Sequence, residues 1–272
     1  MTPAFLSVLP LTLGAVALLF LAVWSLSLLR RDASVVDVLW GLGFACVALV
    51  SYWVCDAPTS RARLVLFLTI LWGLRLALYL GWRNAGQAED FRYGAMRRRH
   101  GTRFALVSLY SVFGLQAALC WVISLPVQAA IASPVPATLG PLDGLGTLLF
   151  VVGFFFESVG DLQLARFKAD PFNRDKVMDR GLWALTRHPN YFGDTVVWWG
   201  FFVLALSTPV GLFTLPAPLL MTFLLRRVSG VPLLERSLVK RRPEYREYIE
   251  RTSAFFPRLP RRSHLPRRSG PG

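Results

Sequence analysis

The residues best suited to chemistry lie between Arg180 and Asp194, in RGLWALTRHPNYFGD. This stretch holds Arg180, Arg187, His188, Asn190, Tyr191 and Asp194. Pro189 lacks a backbone N–H and fits the first turn of a helix. A helix is therefore expected to start near 188–190 and to continue through FGDTVVWWGFFVLAL. Its free N–H groups and positive dipole end favour an anion such as a phosphate, and the nearby cations add to this. Arg187, Tyr191, Asp194 and Trp198 recur at nearly helical spacing and so share one face. The competing reading is a helix start at a membrane surface with basic and aromatic anchors. Asp194 counts against it, because an acid one turn into a lipid-length helix needs a reason to be there.

A second set of candidates consists of charges inside or beside apolar runs: Asp37, Arg75, Glu157, Asp161 and Asp194. A charge at mid-bilayer costs about 2.5–3.5 kcal/mol on insertion scales, so it normally faces the bundle interior and pairs or serves a site. Glu157 and Asp161 are four apart, on one helix face. Two acids that close repel unless each finds a donor or one keeps its proton. Ribose hydroxyls or amide donors of a nucleotide would suit them. Ion pairs with Arg75, Arg166 or Arg187 are the structural alternative, and an Asp37–Arg75 pair between neighbouring spans is plausible on the same grounds. The segment RNAGQAEDFRYGAMRRRHG carries Glu89, Asp90, Arg92 and Tyr93. These residues either cap helices, complete a polar pocket, or belong to a solvated basic loop.

The elements that must position these groups are membrane helices. The chain has 272 residues, 54% of them hydrophobic and 17% charged, with a mean hydropathy of +0.47. That composition predicts an all-α, polytopic helix bundle. Seven apolar stretches can be drawn, at about 4–29, 35–55, 63–82, 104–127, 143–166, 190–207 and 209–229. Basic gaps alternate with gaps poor in charge, among them VQAAIASPVPATLGPL. The positive-inside rule then places the N-terminus outside and the C-terminus in the cytoplasm. A multi-pass protein of a bacterial inner membrane or the endoplasmic reticulum is expected. The formal charge of +14 follows this topology, so nucleic acid is not an expected partner and membrane lipids are. Cys46, Cys55 and Cys120 show no metal or disulfide spacing. Residues 1–257 are expected to form one membrane domain, with a cofactor half at about 143–257, and 258–272 a disordered basic tail. The echo LWGLGF at 39–44 and LWGLRL at 71–76 is too short for a repeat. Its Trp-Gly pairs suit close helix approach.

DVLWG (37–41), EDFRY (89–93), GLWALTRHPNYFGD (181–194) and the closing EYREYIERTSAFFP together resemble the membrane family labelled DUF1295, over most of residues 35–257. That family is similar to the C-terminal domain of steroid 5-alpha-reductases and, more distantly, to sterol reductases and isoprenylcysteine carboxyl methyltransferases. The resemblance implies a helix bundle with a cytoplasm-facing cofactor pocket in its C-terminal half. It implies NADPH as cofactor and a lipophilic steroid-, sterol- or polyprenoid-like enone as substrate. Glu157, Asp161 and Arg166 occupy the positions of one reductase cofactor motif, with Glu157 where the reductases have Asn. Asn190, Tyr191, Gly193 and Asp194 match the Asn-aromatic-x-Gly-acid motif. The reductases' Gln-Glu pair and tyrosine have no clear counterpart in the N-terminal half. The expected cofactor-binding set is Asp161, Arg166, Lys176, Arg180, Arg187, His188, Asn190, Tyr191 and Asp194. Tyr93, Tyr191 and Glu157 are the candidates for proton transfer. No metal is expected. The methyltransferases share a His-Pro turn, so the first alternative is an S-adenosylmethionine-dependent methyltransferase. The second is a non-enzymatic lipid-binding or transport protein.

Overall fold

The structure is a computed structural model that describes residues 2–55, 58–228, 235, 239 and 244–259. The described residues are helical, with connecting turns and loops. Helix α1 is Pro3–Arg30, α2 Val35–Trp53, α3 Ser60–Asn84 and α4 Phe91–His100. Helix α5 (Phe104–Ser108) passes through a widened turn at Leu109–Gly114 into α6 (Leu115–Ile123). Then come α7 (Leu125–Ala132), α8 (Pro141–Ala169), α9 (Leu182–Leu185), α10 (Pro189–Ala205), α11 (Pro216–Phe223) and α12 (Tyr245–Arg251).

Among the described residues, six helical stretches are long and apolar enough to cross a membrane: 3–30, 35–53, 60–84, 91–123, 141–169 and 211–228. The expected stretch 190–207 forms the 17-residue α10. At 1.5 Å per residue α10 is about 25 Å long, short of a hydrocarbon core of about 30 Å. The gap expected as an open loop after the fourth span is different. Its first part belongs to α7, and every residue from Pro126 to Ala132 is buried. Lack of charge there reflects burial, and Gln128, fully buried, accepts from the Thr12 hydroxyl at 2.7 Å.

The chain divides into two compact units, residues 1–147 with 201–217, and residues 148–200 with 218–272. Helices α8, α10 and α11 contribute residues to both. The tail, from residue 260 on, lies outside the described residues.

In the first unit α2 packs on α3. Lipid tails are as apolar as leucine, so membrane helices associate through close van der Waals packing rather than through water expulsion. The two glycines of the LWG echoes supply it. A Cβ on Gly41 would stand 2.7 Å from the Gly73 carbonyl, and one on Gly73 2.5 Å from the Gly41 carbonyl. Trp72, fully buried, packs edge-on against Phe44 at 5.3 Å between ring centroids. This unit also holds a buried ion pair. Arg61 Nε and Nη2 donate to the two Asp143 oxygens at 2.6 and 2.9 Å. Arg61 Nη1 and Nη2 also donate to the Pro136 and Thr138 carbonyls.

In the second unit the crossing of α8 and α10 is again made by glycine. A Cβ on Gly153 would meet the Gly193 carbonyl at 2.5 Å and Val197 N at 2.6 Å. One on Gly193 would meet the Gly153 carbonyl at 2.5 Å. Phe156 and Phe192 flank the crossing edge-to-face at 5.1 Å.

Candidate functional site

The second unit assembles most of the expected cofactor residues. The helix start falls where Pro189 predicts it. Gly160 of α8 has no side chain, and Pro189 and Asn190 sit over it: a Cβ there would be 3.1 Å from Pro189 Cγ and 3.3 Å from Asn190 N. This seat brings the Asn190 amide to the next residue of α8. Asn190 Nδ2 donates to Asp161 Oδ1 at 3.0 Å. Glu157 lies one turn earlier on the same face. Both carboxylates are buried, at 3% and 5% exposure, although they belong to a membrane-length helix. Asp194 is half-buried one turn along α10 from Asn190.

The preceding loop is tied to α8 as well. Gln163 Oε1 accepts from Leu182 N at 3.0 Å, and the Trp183 indole donates to the Gly160 carbonyl at 2.9 Å. Gly181 stands at φ +59°, a conformation that side chains other than glycine's rarely adopt, and its Cα faces the Gln163 amide so closely that a Cβ would collide with it. Arg166, Lys176 and Arg180, on the end of α8 and in this loop, are exposed.

Arg187 departs from expectation. Its guanidinium, expected to face a phosphate, is buried and committed to the protein. Nε and Nη2 donate to Glu235 Oε1 and Oε2 at 2.8 and 3.2 Å, and Nη1 to the Ile249 and Thr252 carbonyls at 3.0 and 2.6 Å. His188, 2% exposed, places Nε2 3.0 Å from Glu235 Oε1. Its ring stacks on Tyr191 at 5.5 Å with 10° between planes. An anion does sit beside the helix start, as the charge pattern requires, but the protein supplies it. Burial by itself would raise the Glu235 carboxyl; hydrogen bonds from His188 and Arg187, with the Arg187 charge, outweigh it and hold the carboxyl below the ordinary value.

Residues 248–258 clasp the same turn. Arg187 N donates to the Ser253 carbonyl, Thr186 Oγ1 to that of Phe255, and Arg258 N to that of Leu185, each at 2.9 Å. Tyr248 donates its hydroxyl to the Trp183 carbonyl. Arg226 lies 5.3 Å from the ring centroids of both Phe255 and Phe256.

In the first unit Tyr93, 6% exposed, belongs to a separate polar cluster. Its hydroxyl donates to Asp37 Oδ1 at 2.8 Å, and Arg92 Nη2 donates to Asp37 Oδ2 at 2.8 Å. The Gln116 side-chain amide donates from Nε2 to the Tyr93 hydroxyl and to Asp37 Oδ1 at 3.4 and 3.5 Å. The expected Asp37–Arg75 pair is thus replaced: Asp37 is held by Arg92 and Tyr93, and Arg75 lies 5.4 Å from the Tyr79 ring centroid. Glu89 accepts from Ala33 N and pairs with Arg97, while the Ser34 hydroxyl accepts from Asp90 N. These acids cap the start of α2 and α4, one of the roles the sequence allows. Burial tends to raise the Glu89 carboxyl, but Arg97 and the Ala33 N–H bring it below its usual value.

Sequence reasoning missed Glu235, Gln163, Gln116 and the Arg61–Asp143 pair. One signal pointed to Glu235: a buried arginine in Arg-His-Pro needs an anion, and LLER is the acid-bearing stretch that follows the last span.

Fold and site together define a multi-pass, all-α membrane protein with a polar cluster at the start of one of its helices. The chain belongs to the family described as "Protein of unknown function (DUF1295)", which matches residues 23–252. It is similar to "Uncharacterized protein C594.04c" of Schizosaccharomyces pombe, 24% identical over 263 residues, covering 87% of this chain and 76% of that one. A local similarity joins it to "Probable O-methyltransferase ustE" of Ustilaginoidea virens. That match is 38% identical over 56 residues, covering 21% of this chain and 20% of that protein. No solved structure matches the chain.

Proposed function

We propose that the protein is a membrane-embedded, NADPH-dependent reductase of a lipophilic enone of steroid, sterol or polyprenoid type. One observation carries this reading: two buried carboxylates, Glu157 and Asp161, lie one turn apart on α8, and the second accepts from the Asn190 amide at the start of α10, near exposed Arg166 at the end of α8 and Lys176 and Arg180 in the following loop. Carboxylates and an amide suit the hydroxyls and amide of a dinucleotide. Exposed cations suit its phosphates. Arg187 has no direct part in phosphate binding in this scheme, since Glu235 occupies it; it fixes the turn. NADPH, when bound, supplies the hydride that a conjugated double bond accepts at its electron-poor carbon. The protein's own task is to orient the reactants and to deliver a proton. Tyr191, half-buried on the His188 ring, is one proton donor the second unit offers, and buried Glu157 of α8 is another. Tyr93, in the first unit, is a separate candidate whose hydroxyl is oriented by Asp37.

A second reading, an S-adenosylmethionine-dependent methyltransferase, is favoured by the local match to the probable O-methyltransferase. The engagement of Arg187 by Glu235 also favours it, since that methyl donor carries no phosphate. Mass spectrometry of small molecules retained by protein purified in mild detergent, followed by titration with each cofactor, separates the readings. NADP(H) retained and bound supports the reductase. S-adenosylmethionine or its demethylated product, with no affinity for NADPH, refutes it in favour of the second reading. Affinity for neither points to the non-enzymatic lipid-binding class.

A further inference from the structure

Glu235 is the residue on which the Arg-His-Pro turn converges. Its carboxylate takes a two-point contact from Arg187, through Nε at 2.8 Å and Nη2 at 3.2 Å, and a third contact from His188 Nε2 at 3.0 Å. Arg187 and His188 are 7% and 2% exposed. Arg187 Nη1 and the backbone N–H are bound by the carbonyls of Ile249, Thr252 and Ser253. The guanidinium is thus fixed from two sides, and the carboxylate it holds has little freedom to move. That carboxylate in turn fixes His188. A neutral imidazole carries one N–H, and an acceptor at Nε2 draws the proton to that nitrogen, leaving Nδ1 as an acceptor. The ring plane set in this way is the surface on which Tyr191 stacks, nearly parallel at 10°. Tyr191 is half-buried and its neighbour Asn190 reaches Asp161. A chain of contacts therefore leads from Glu235, through the His188 ring, to residues of the ligand site proposed above.

We infer that Glu235 is a positioning residue for the ligand site at the start of α10: it sets the His188 tautomer and ring orientation, and through them the place of Tyr191. The consequence for ligand binding rests on the cofactor reading above; the consequence for His188 does not. A role confined to stability would lower the melting temperature when Glu235 is changed and leave the site of the folded protein as it was.

The test uses the full chain in detergent, with Glu235→Gln as the main variant and Glu235→Ala as the severe one. Gln keeps the size and one acceptor oxygen but removes the charge. Histidine labelled with nitrogen-15 gives ring signals for the three histidines, and a His188→Gln protein assigns those of His188. In the wild type the expected pattern is one tautomer, protonated at Nε2. In Glu235→Gln the Nε2–H signal should shift as the charge-assisted hydrogen bond becomes a neutral one, and in Glu235→Ala the two tautomers should mix. NADPH affinity, measured well below each protein's melting temperature, should fall about tenfold or more in Glu235→Gln, the scale of one hydrogen bond to a charged group. His188 signals that overlay the wild type in Glu235→Gln overturn the inference, whether or not Glu235→Ala folds. Shifted signals with unchanged ligand affinity also overturn it and leave Glu235 a structural residue. If the wild type binds S-adenosylmethionine and not NADPH, the reductase reading fails, and the same affinity comparison is made with S-adenosylmethionine. If it binds neither, the ligand-positioning role falls with the cofactor reading, and the His188 signals still report whether Glu235 sets the ring.

Discussion

Replacing Gly193 by alanine adds one methyl group where α10 crosses α8. The new Cβ would stand 2.5 Å from the Gly153 carbonyl oxygen, whereas ordinary contact begins near 3.4 Å. The shortfall of about 0.9 Å cannot be relieved by a rotamer change, because the obstructing atoms are backbone of another helix. Overpacking of this kind costs about 1–3 kcal/mol, and rigid surroundings put Gly193 at the upper end. Alanine recovers about 1 kcal/mol of helix propensity over glycine, so a net loss of about 2 kcal/mol remains. At about 2–4 °C per kcal/mol, the melting temperature should fall by about 4–8 °C. Gly14 of α1 provides the control, since a Cβ there meets nothing within 4 Å. Gly14→Ala should melt at or slightly above the wild-type temperature. The assay is thermal unfolding in one detergent for the three proteins. Parting the helices also draws Asn190 away from Asp161, so affinity for the proposed NADPH cofactor should fall with stability in Gly193→Ala alone. Equal melting temperatures for Gly193→Ala and Gly14→Ala would refute the close crossing and the seating of α10 derived from it.

Arg61→Ala leaves Asp143 buried without its cation, and such a change costs about 3–5 kcal/mol; replacing both partners by apolar residues of similar volume should recover most of the loss, and unfolding experiments that find the single and double variants equal would contradict this. The Glu235 and Glu89 carboxyls both titrate below their unfolded value of about 4.3. The folded state therefore holds fewer protons than the unfolded state, so these groups stabilise it fully above about pH 5 and progressively less as the pH falls through the folded value. Glu235→Gln should flatten the acid limb of the melting-temperature profile, and an unchanged limb would show that Glu235 does not contribute to it. For topology, we propose an external N-terminus and a cytoplasmic C-terminal end, so a reporter fused after Leu259 should respond as cytoplasmic; an external response rejects that orientation. On the proposed reductase reading, Tyr191→Phe and Tyr93→Phe distinguish the candidate proton donors: the variant that loses turnover of an enone while keeping NADPH affinity identifies the donor, and full turnover by both excludes either hydroxyl.

The sequence by itself determined the class of the protein. Apolar runs of bilayer length leave helices as the economical way to satisfy the backbone in lipid, and the described residues form helices there. It also determined local events that depend on one residue's geometry. Pro189 starts α10 where a missing N–H costs nothing. The glycines of the two LWG echoes permit the approach of α2 to α3. Charge patterning required an anion beside Arg187 and His188, yet it could not say whose. Glu235 is 48 residues from Arg187, and Asp143 is 82 from Arg61, beyond the reach of any helical period. Only the tertiary structure decides such pairs, because which helices lie side by side is set by packing between them and leaves no periodic trace along the chain. The same holds for α7: a charge-free stretch reads equally as an outer loop or as a buried helix, and burial against its neighbours in the first unit chose the second.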